Sequence, residues 1–208
     1  MINKFNKIKR IIFPSKKINF FVITILFLGV ISGAIFSNII DLNDKNLVID
    51  KIKLFISNID TNSINSLISF KNSIITNLSY SLIIWILGLT IIGIIFNIFL
   101  LYIKGFIFGF SLSSFILTYS YKGIILSFLY TLFGQLLNIL VIMILSIYSI
   151  MFTINLLKQI IKNKTNIPKF FKNYALIFLI TIIISIISSI SEAFIFPTFI
   201  KIIIKLFT

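Results

Sequence analysis

Long apolar stretches recur along this chain, and each is long enough to cross a lipid bilayer, which takes about 20 helical residues. Four of them contain no charged residue, and the fifth contains only Glu192. They cover residues 18–40, 80–103, 105–121, 123–157 and 174–200. A backbone in lipid must satisfy its hydrogen bonds internally. The pattern therefore predicts a single all-α domain, a polytopic membrane bundle of about five transmembrane helices.

The composition excludes several classes of protein. Hydrophobic residues make up 59% of the chain and charged residues 12%, an apolar excess that a soluble domain of this size could not bury. The net charge of +14 would suggest nucleic acid in a polar chain, but here it indicates membrane orientation, and we expect no nucleic-acid partner. Without Cys or His the chain has no thiolate, imidazole or triad chemistry. We predict no catalytic residue, no metal, no cofactor and no enzymatic activity.

Basic residues predict the orientation, because Lys and Arg in short loops stay on the cytoplasmic side. The leader 1–17 is basic and carries an apolar stripe of Phe5, Ile8 and Ile12, which suits a helix on inner-leaflet headgroups. The loop 41–79 has equal numbers of Lys and Asp and is predicted to lie outside. The loop 158–173 is basic without acids and returns inside. Five spans then leave the tail 201–208 outside, although Lys201 and Lys205 argue mildly against this.

The fourth run, 123–157, is too long for one crossing. As a helix it would measure about 50 Å, against a hydrocarbon core of about 30 Å. We expect a helix that is broken near Gly134 or that projects beyond the cytoplasmic face. A short re-entrant arm over 123–133 is a further alternative.

The exported loop shows helical periodicity, which predicts two short amphipathic helices. The second repeat includes Ile64, Leu67, Ile68 and Ile75. These helices either cap the bundle at the outer surface or form a docking face for an extracytoplasmic partner. The candidate docking residues are Val48, Ile52, Phe55, Ile56 and Ile59.

Polar residues inside the spans recur at helical spacing on two stripes. The first consists of Thr181, Ser185, Ser188 and Glu192, and the second of Thr131, Gln135 and Asn138. Intramembrane ionisable groups face the protein or water, so we expect the stripes to face each other. Lys122 would neutralise Glu192, or a protonated Glu192 would hydrogen-bond to Gln135 or Asn138. The stripes serve either as polar contacts between helices or as a proton or transport pathway.

Glycines in the first three spans predict close helix packing. Gly29 and Gly33 have the G-x-x-x-G spacing that is typical of helix contacts in membranes. The same interpretation applies to Gly88, Gly93, Gly105 and Gly109.

Several segments, in order along almost the whole chain, resemble the stage II sporulation protein M family of multi-pass membrane proteins. The most distinctive is the run from Glu192 to Pro197, preceded by Ser188 and Ser189. The others are residues 27–34, Asn77-Leu78 with 85–88, Lys104-Gly105 with Gly109, and 126–128. Family members tend to carry prolines in the middle of the fourth run, where residues 133–140 contain none.

The resemblance implies a noncatalytic role in engulfment during sporulation. Members of the family hold two extracytoplasmic wall hydrolases, stage II sporulation proteins D (a lytic transglycosylase) and P (an amidase and endopeptidase), at the septal membrane. By this resemblance we expect a scaffold in the cell membrane that recruits these enzymes and remodels peptidoglycan through them. A transporter or channel subunit is the alternative, and homo-oligomerisation is left open.

Overall fold

A computed structural model describes residues 15–61, 65–162 and 167–207, and every regular element within these ranges is helical. This confirms the predicted all-α class. Almost all of the predicted leader, including Phe5, Ile8 and Ile12, lies outside the described residues, as does Ile64. The first helices are α1 (Lys16–Ile39), α2 (Leu42–Asp60), α3 (Ser66–Gly88) and α4 (Gly93–Leu129). The first π-turn (Tyr130–Gln135), α5 (Leu136–Lys162), α6 (Ile167–Ile190), the second π-turn (Ser191–Ile195) and α7 (Phe196–Phe207) follow.

Within the described residues, three helical stretches are long and apolar enough to cross a membrane. They are Lys16–Ile39, Gly93–Ile161 and Phe170–Ile203. α2 is the first predicted amphipathic helix of the exported loop. The second predicted helix of that loop is the beginning of α3, which continues without interruption into the next apolar run.

The predicted second span, 80–103, is not a single helix. The run contains no charge or proline, yet α3 ends at Gly88 and α4 begins at Gly93. Thr90 forms the turn between them: its hydroxyl donates to the Leu87 carbonyl at 3.0 Å and accepts from the Gly93 amide at 3.1 Å. As a result, Lys104, which was predicted to separate two spans, lies inside α4. It is about 17 Å along the helix axis from Gly93.

A second reversal occurs inside α4 at Ser120, whose φ of 50° and ψ of −121° are not helical. Beyond it the chain runs back along α4: Ser127 Oγ donates to the Leu112 carbonyl at 2.9 Å. Gly123 packs against the backbone of Phe115 and Ile116, where a Cβ would not fit. The reversal lies at the predicted boundary between the third and fourth apolar runs. It turns the fourth run into a descending arm that includes residues 121–129, the first π-turn and α5.

The bundle has two apolar clusters, one at each end of the helices. The first surrounds Tyr174, which stacks on Trp85 and Phe152. The second joins the end of α2 to the region beyond Ser120 and to α7. Its buried members are Ile56, Ile59, Phe115, Leu126, Leu129, Phe196 and Ile200. The polar residues described next lie between these clusters along the chain.

Candidate functional site

The two π-turns pack against each other and interrupt the two long descending and ascending helices at the same level. In each of them the chain makes an i to i+5 hydrogen bond: Leu136 to Thr131 in the first and Phe196 to Ser191 in the second. Ser191 Oγ donates to the Phe133 carbonyl across the contact. Such single π-turns widen a helix by one residue and occur often at functional sites. The first one includes Gly134, near which the break was predicted.

Glu192 lies in the second π-turn and is half-buried. Gln135 Nε2, from the first π-turn, donates to its Oε1 at 3.1 Å. The side chains of Ser73 and Asn77 also interact with the carboxylate, and Lys104 interacts with it electrostatically. The structure therefore pairs Gln135 with Glu192, which is one of the hydrogen bonds predicted from the sequence. The cation that acts on Glu192 is Lys104, whereas Lys122, the predicted one, is exposed.

A chain of hydrogen bonds continues from this point into the bundle, and Asn77 is its centre. Asn138, the other predicted partner of Glu192, donates to Asn77 Oδ1 at 2.6 Å. Asn77 Nδ2 donates in turn to Ser189 Oγ at 3.0 Å. One turn further along, the hydroxyls of Ser81 and Ser185 lie 3.4 Å apart. Among the hydrogen bonds of the described residues, Gln135 and Glu192 join the two predicted stripes directly, and Asn77 of α3 bridges Asn138 to Ser189.

The remaining stripe residues bond within their own helices or bond nothing. Thr181 donates to the Phe178 carbonyl and Thr131 to the Ser127 carbonyl. Ser188 is buried, and its hydroxyl has no hydrogen-bond partner among the described residues. These three residues line the interior without joining the network.

Sequence reasoning missed the residues that α3 and α4 contribute. Ser73, Asn77 and Ser81 recur every four residues, the same periodicity that identified the other stripes. Their periodicity does not stand out within one predicted segment, because Ser73 and Asn77 fall in the predicted loop 41–79 and Ser81 falls in the predicted span 80–103. Lys104 was interpreted as a boundary residue, although its Nζ lies 5.5 Å from the centre of the Tyr80 ring inside the bundle.

A cavity of about 260 Å³ adjoins the carboxylate of Glu192. One wall consists of Ser69, Asn72 and Ser73 from the beginning of α3. Phe55, Tyr130 and Phe196 form much of the opposite wall, together with Pro197. Within the described residues, no group of three His, Cys, Asp or Glu side chains is placed to hold a metal ion.

A second, larger space of about 380 Å³ lies between α2 and α4, and we call it the α2 groove. Three of the five candidate docking residues, Val48, Ile52 and Phe55, line it, and Lys51 is at its edge. The other two do not face it: Ile56 is 7% exposed and Ile59 is 1% exposed, because both pack into the second apolar cluster. α2 is therefore partly a cover for the bundle, through Ile56 and Ile59, and partly the wall of an open groove.

The glycines fall into two groups. Gly29 and Gly33 of α1 meet Gly105 and Gly109 of α4, and the two helices run parallel with their backbones in contact. We call this contact the glycine seam. Gly88 faces the hydroxyls of Tyr174 and Ser149, also at a helix contact. Gly93 lies against Leu87 across the turn that joins α3 to α4, where a Cβ would strike the Leu87 carbonyl.

Comparison with known proteins identifies the family. The model of the stage II sporulation protein M family matches residues 22–197. The chain belongs to this family. No curated protein and no solved structure gives a significant match. The stage II sporulation protein M match extends from Val22 of α1 to Pro197 of α7, and so it includes the glycine seam, both π-turns, the cavity and the α2 groove.

Proposed function

We propose that this protein is a noncatalytic scaffold of the sporulation engulfment machinery, which localises peptidoglycan hydrolases at the septal membrane. The recruited enzymes are the stage II sporulation proteins D and P. Membership of the family supports this role. In the proposed orientation the N-terminus and the loop 158–173 are cytoplasmic, and α2 and the C-terminus are extracytoplasmic.

The single observation that carries the proposal is the α2 groove. α2 follows the first membrane-spanning helix directly, so the groove opens at the extracytoplasmic end of the bundle in this orientation. Its lining is mainly apolar, and Phe55 remains 38% exposed. A groove of this kind accommodates the apolar face of an amphipathic helix. The hydrolases, anchored outside the same membrane, would present such a segment.

Capture of the tagged protein from membranes of sporulating cells tests the proposal. We expect the variant Val48→Asn/Ile52→Asn/Phe55→Asn to lose both hydrolases while the unmodified protein retains them. Leu54→Asn is the matched control, because Leu54 lies on the same helix and is 57% exposed but does not line the groove. Undiminished capture by the groove variant would refute the assignment of the docking site. Absence of the hydrolases from the unmodified protein would refute the scaffold itself.

A second candidate function, transport, is favoured by the polar network around Glu192, since transporters place charged groups and broken helices within the membrane. Glu192→Leu separates the two. Under the scaffold proposal this variant lowers the protein yield, and neither it nor the unmodified protein transports an ion or solute. Normal yield and normal hydrolase capture, accompanied by loss of ion or solute flux, would favour the transporter.

A further inference from the structure

The cavity beside Glu192 has the composition of a binding site. Its polar wall is one face of the first turns of α3, where Ser69, Asn72 and Ser73 follow each other at spacings of three and four residues. Asn72 is exposed, so the cavity opens to the surface on this side. The opening lies near the beginning of α3, next to the exported segment that precedes this helix.

The charge that the cavity presents to a ligand is that of Glu192. Of the described residues that line it, Glu192 is the one charged side chain. Lys104 acts on the same carboxylate but does not line the cavity. Gln135, which donates to Oε1, is likewise outside the lining. A ligand that enters would therefore meet the carboxylate, the oxygen atoms of Ser69, Asn72 and Ser73, and aromatic rings.

The geometry points to a binding site for a small organic cation that carries a primary ammonium group. Such a group has three N–H donors and no acceptor, which matches a carboxylate surrounded by hydroxyl and amide oxygens. Aromatic rings such as those of Phe55, Tyr130 and Phe196 attract cations through their faces. A quaternary ammonium cannot donate hydrogen bonds and is bulkier, so it should bind less well. A divalent metal would find only one carboxylate here, and the affinity of a site for such cations depends on the number of charged ligands.

The site does not depend on the proposed scaffold role, and it can be probed chemically because the chain contains no cysteine. We suggest Ser69→Cys as a reporter inside the cavity and Leu67→Cys, at a position 70% exposed on the same helix, as its matched control. The protein is placed in lipid nanodiscs, so that both membrane faces are accessible and the orientation is irrelevant. Labelling rates are then compared for aminoethyl, trimethylammonioethyl and sulfonatoethyl methanethiosulfonate.

We expect the aminoethyl reagent to label Ser69→Cys about tenfold faster than the sulfonate reagent, after correction by the ratio at Leu67→Cys. The trimethylammonium reagent should fall between them. Adding Glu192→Gln should bring the corrected ratio to within about twofold of unity, since the attracting charge is gone. The proposal would be overturned if the ratio of the aminoethyl to the sulfonate labelling rate were equal at Ser69→Cys and Leu67→Cys. It would also be overturned if the faster labelling by the aminoethyl reagent persisted in the presence of Glu192→Gln.

Protection provides a test that does not require Glu192→Gln to fold. Ethanolamine hydrochloride should slow the labelling of Ser69→Cys but not of Leu67→Cys, and tetramethylammonium chloride at the same ionic strength should not. Equal protection by the two salts would also overturn the proposal.

The source of the ammonium group is distinguished by the lipid. If nanodiscs with phosphatidylethanolamine slow labelling relative to phosphatidylglycerol alone, without added amine, the site takes a lipid headgroup. If ethanolamine protects and the lipid makes no difference, it takes a free amine. Either result supports the site and identifies its ligand.

Discussion

At the glycine seam, α1 and α4 approach until their backbones touch, whereas at the π-turns the helices are joined by polar side chains. The glycine seam depends on residues without a side chain, because a Cβ on Gly33 or Gly109 would overlap backbone atoms of the facing helix. The contact at and next to the π-turns depends on polar side chains, since Gln135 donates to Glu192 and Asn138 donates to Asn77. Both regions belong to the same bundle and lie within the same family match.

The difference reflects the absence of a hydrophobic driving force between helices in lipid. Helices in a membrane associate either by van der Waals contact over a close approach or by polar interactions that lipid cannot replace. In this chain, α1 packs by close van der Waals contact, and the helices around Glu192 are joined by polar interactions. Adding atoms should therefore damage the seam, and removing polar atoms should damage the π-turns.

The largest effect is expected at the charged pair. Lys104→Met removes the cation that acts on Glu192 and should lower the free energy of unfolding by about 3 kcal/mol, because it leaves the half-buried carboxylate of Glu192 without the cation that acts on it. The double variant Lys104→Met/Glu192→Gln should recover part of this loss. Detergent denaturation of the purified protein measures both variants. Strictly additive losses would show that the two charges are not coupled.

The seam can be tested with a matched pair of glycines. Gly109→Ala should cost about 2–3 kcal/mol through overpacking, because the new Cβ meets the Val30 backbone. At Gly134→Ala the nearest atom is in the Tyr130 side chain at 3.2 Å, which can move, so the change should stay within about 1 kcal/mol. The same unfolding measurement compares them. Equal losses at both positions would contradict the role of the seam.

At Glu192 itself, shape and polarity can be separated. Glu192→Gln keeps the size and a hydrogen-bonding group, and we expect a loss of about 1 kcal/mol or less. Glu192→Leu leaves the Gln135 amide without its acceptor and should cost about 2 kcal/mol, with a lower yield of membrane-inserted protein. Yield and monodispersity after solubilisation provide the measurement. A Leu variant as stable as the Gln variant would indicate that polarity at this position is dispensable.

The smallest effect is expected at Ser120, away from both regions. Its positive φ is unfavourable for a side chain but free of strain for glycine. Ser120→Gly should therefore raise the free energy of unfolding by about 0.5 kcal/mol, after the entropy cost of glycine is subtracted. The reversal at Ser120 belongs neither to the glycine seam nor to the π-turns. The stability difference between Gly109→Ala and Gly134→Ala should therefore be the same with and without Ser120→Gly. A change in that difference would mean that the reversal and the seam are coupled.

Prediction from the sequence succeeded where the type of a residue alone restricts its surroundings in a membrane, as for glycine and for polar side chains. Gly29 and Gly33 indicated a helix contact because only small residues permit backbone approach, although the partner helix was not evident. Glu192 and Gln135 were recognised as candidates because polar groups in apolar runs must face protein. Prediction failed at Thr90, where an apolar run contains a turn, and at Lys104, which lies inside α4 although it is predicted to separate two spans.

The sequence by itself determined that this chain forms a bundle of apolar helices with an amphipathic helix after the first of them, because hydrophobic length and periodicity are local properties. Only the tertiary structure decided which polar groups meet, since Asn77, Lys104, Gln135 and Glu192 come from four separate segments. It also decided the break between α3 and α4. The apolar composition of residues 80–103 does not mark where the first helix ends, and packing against distant segments decides it.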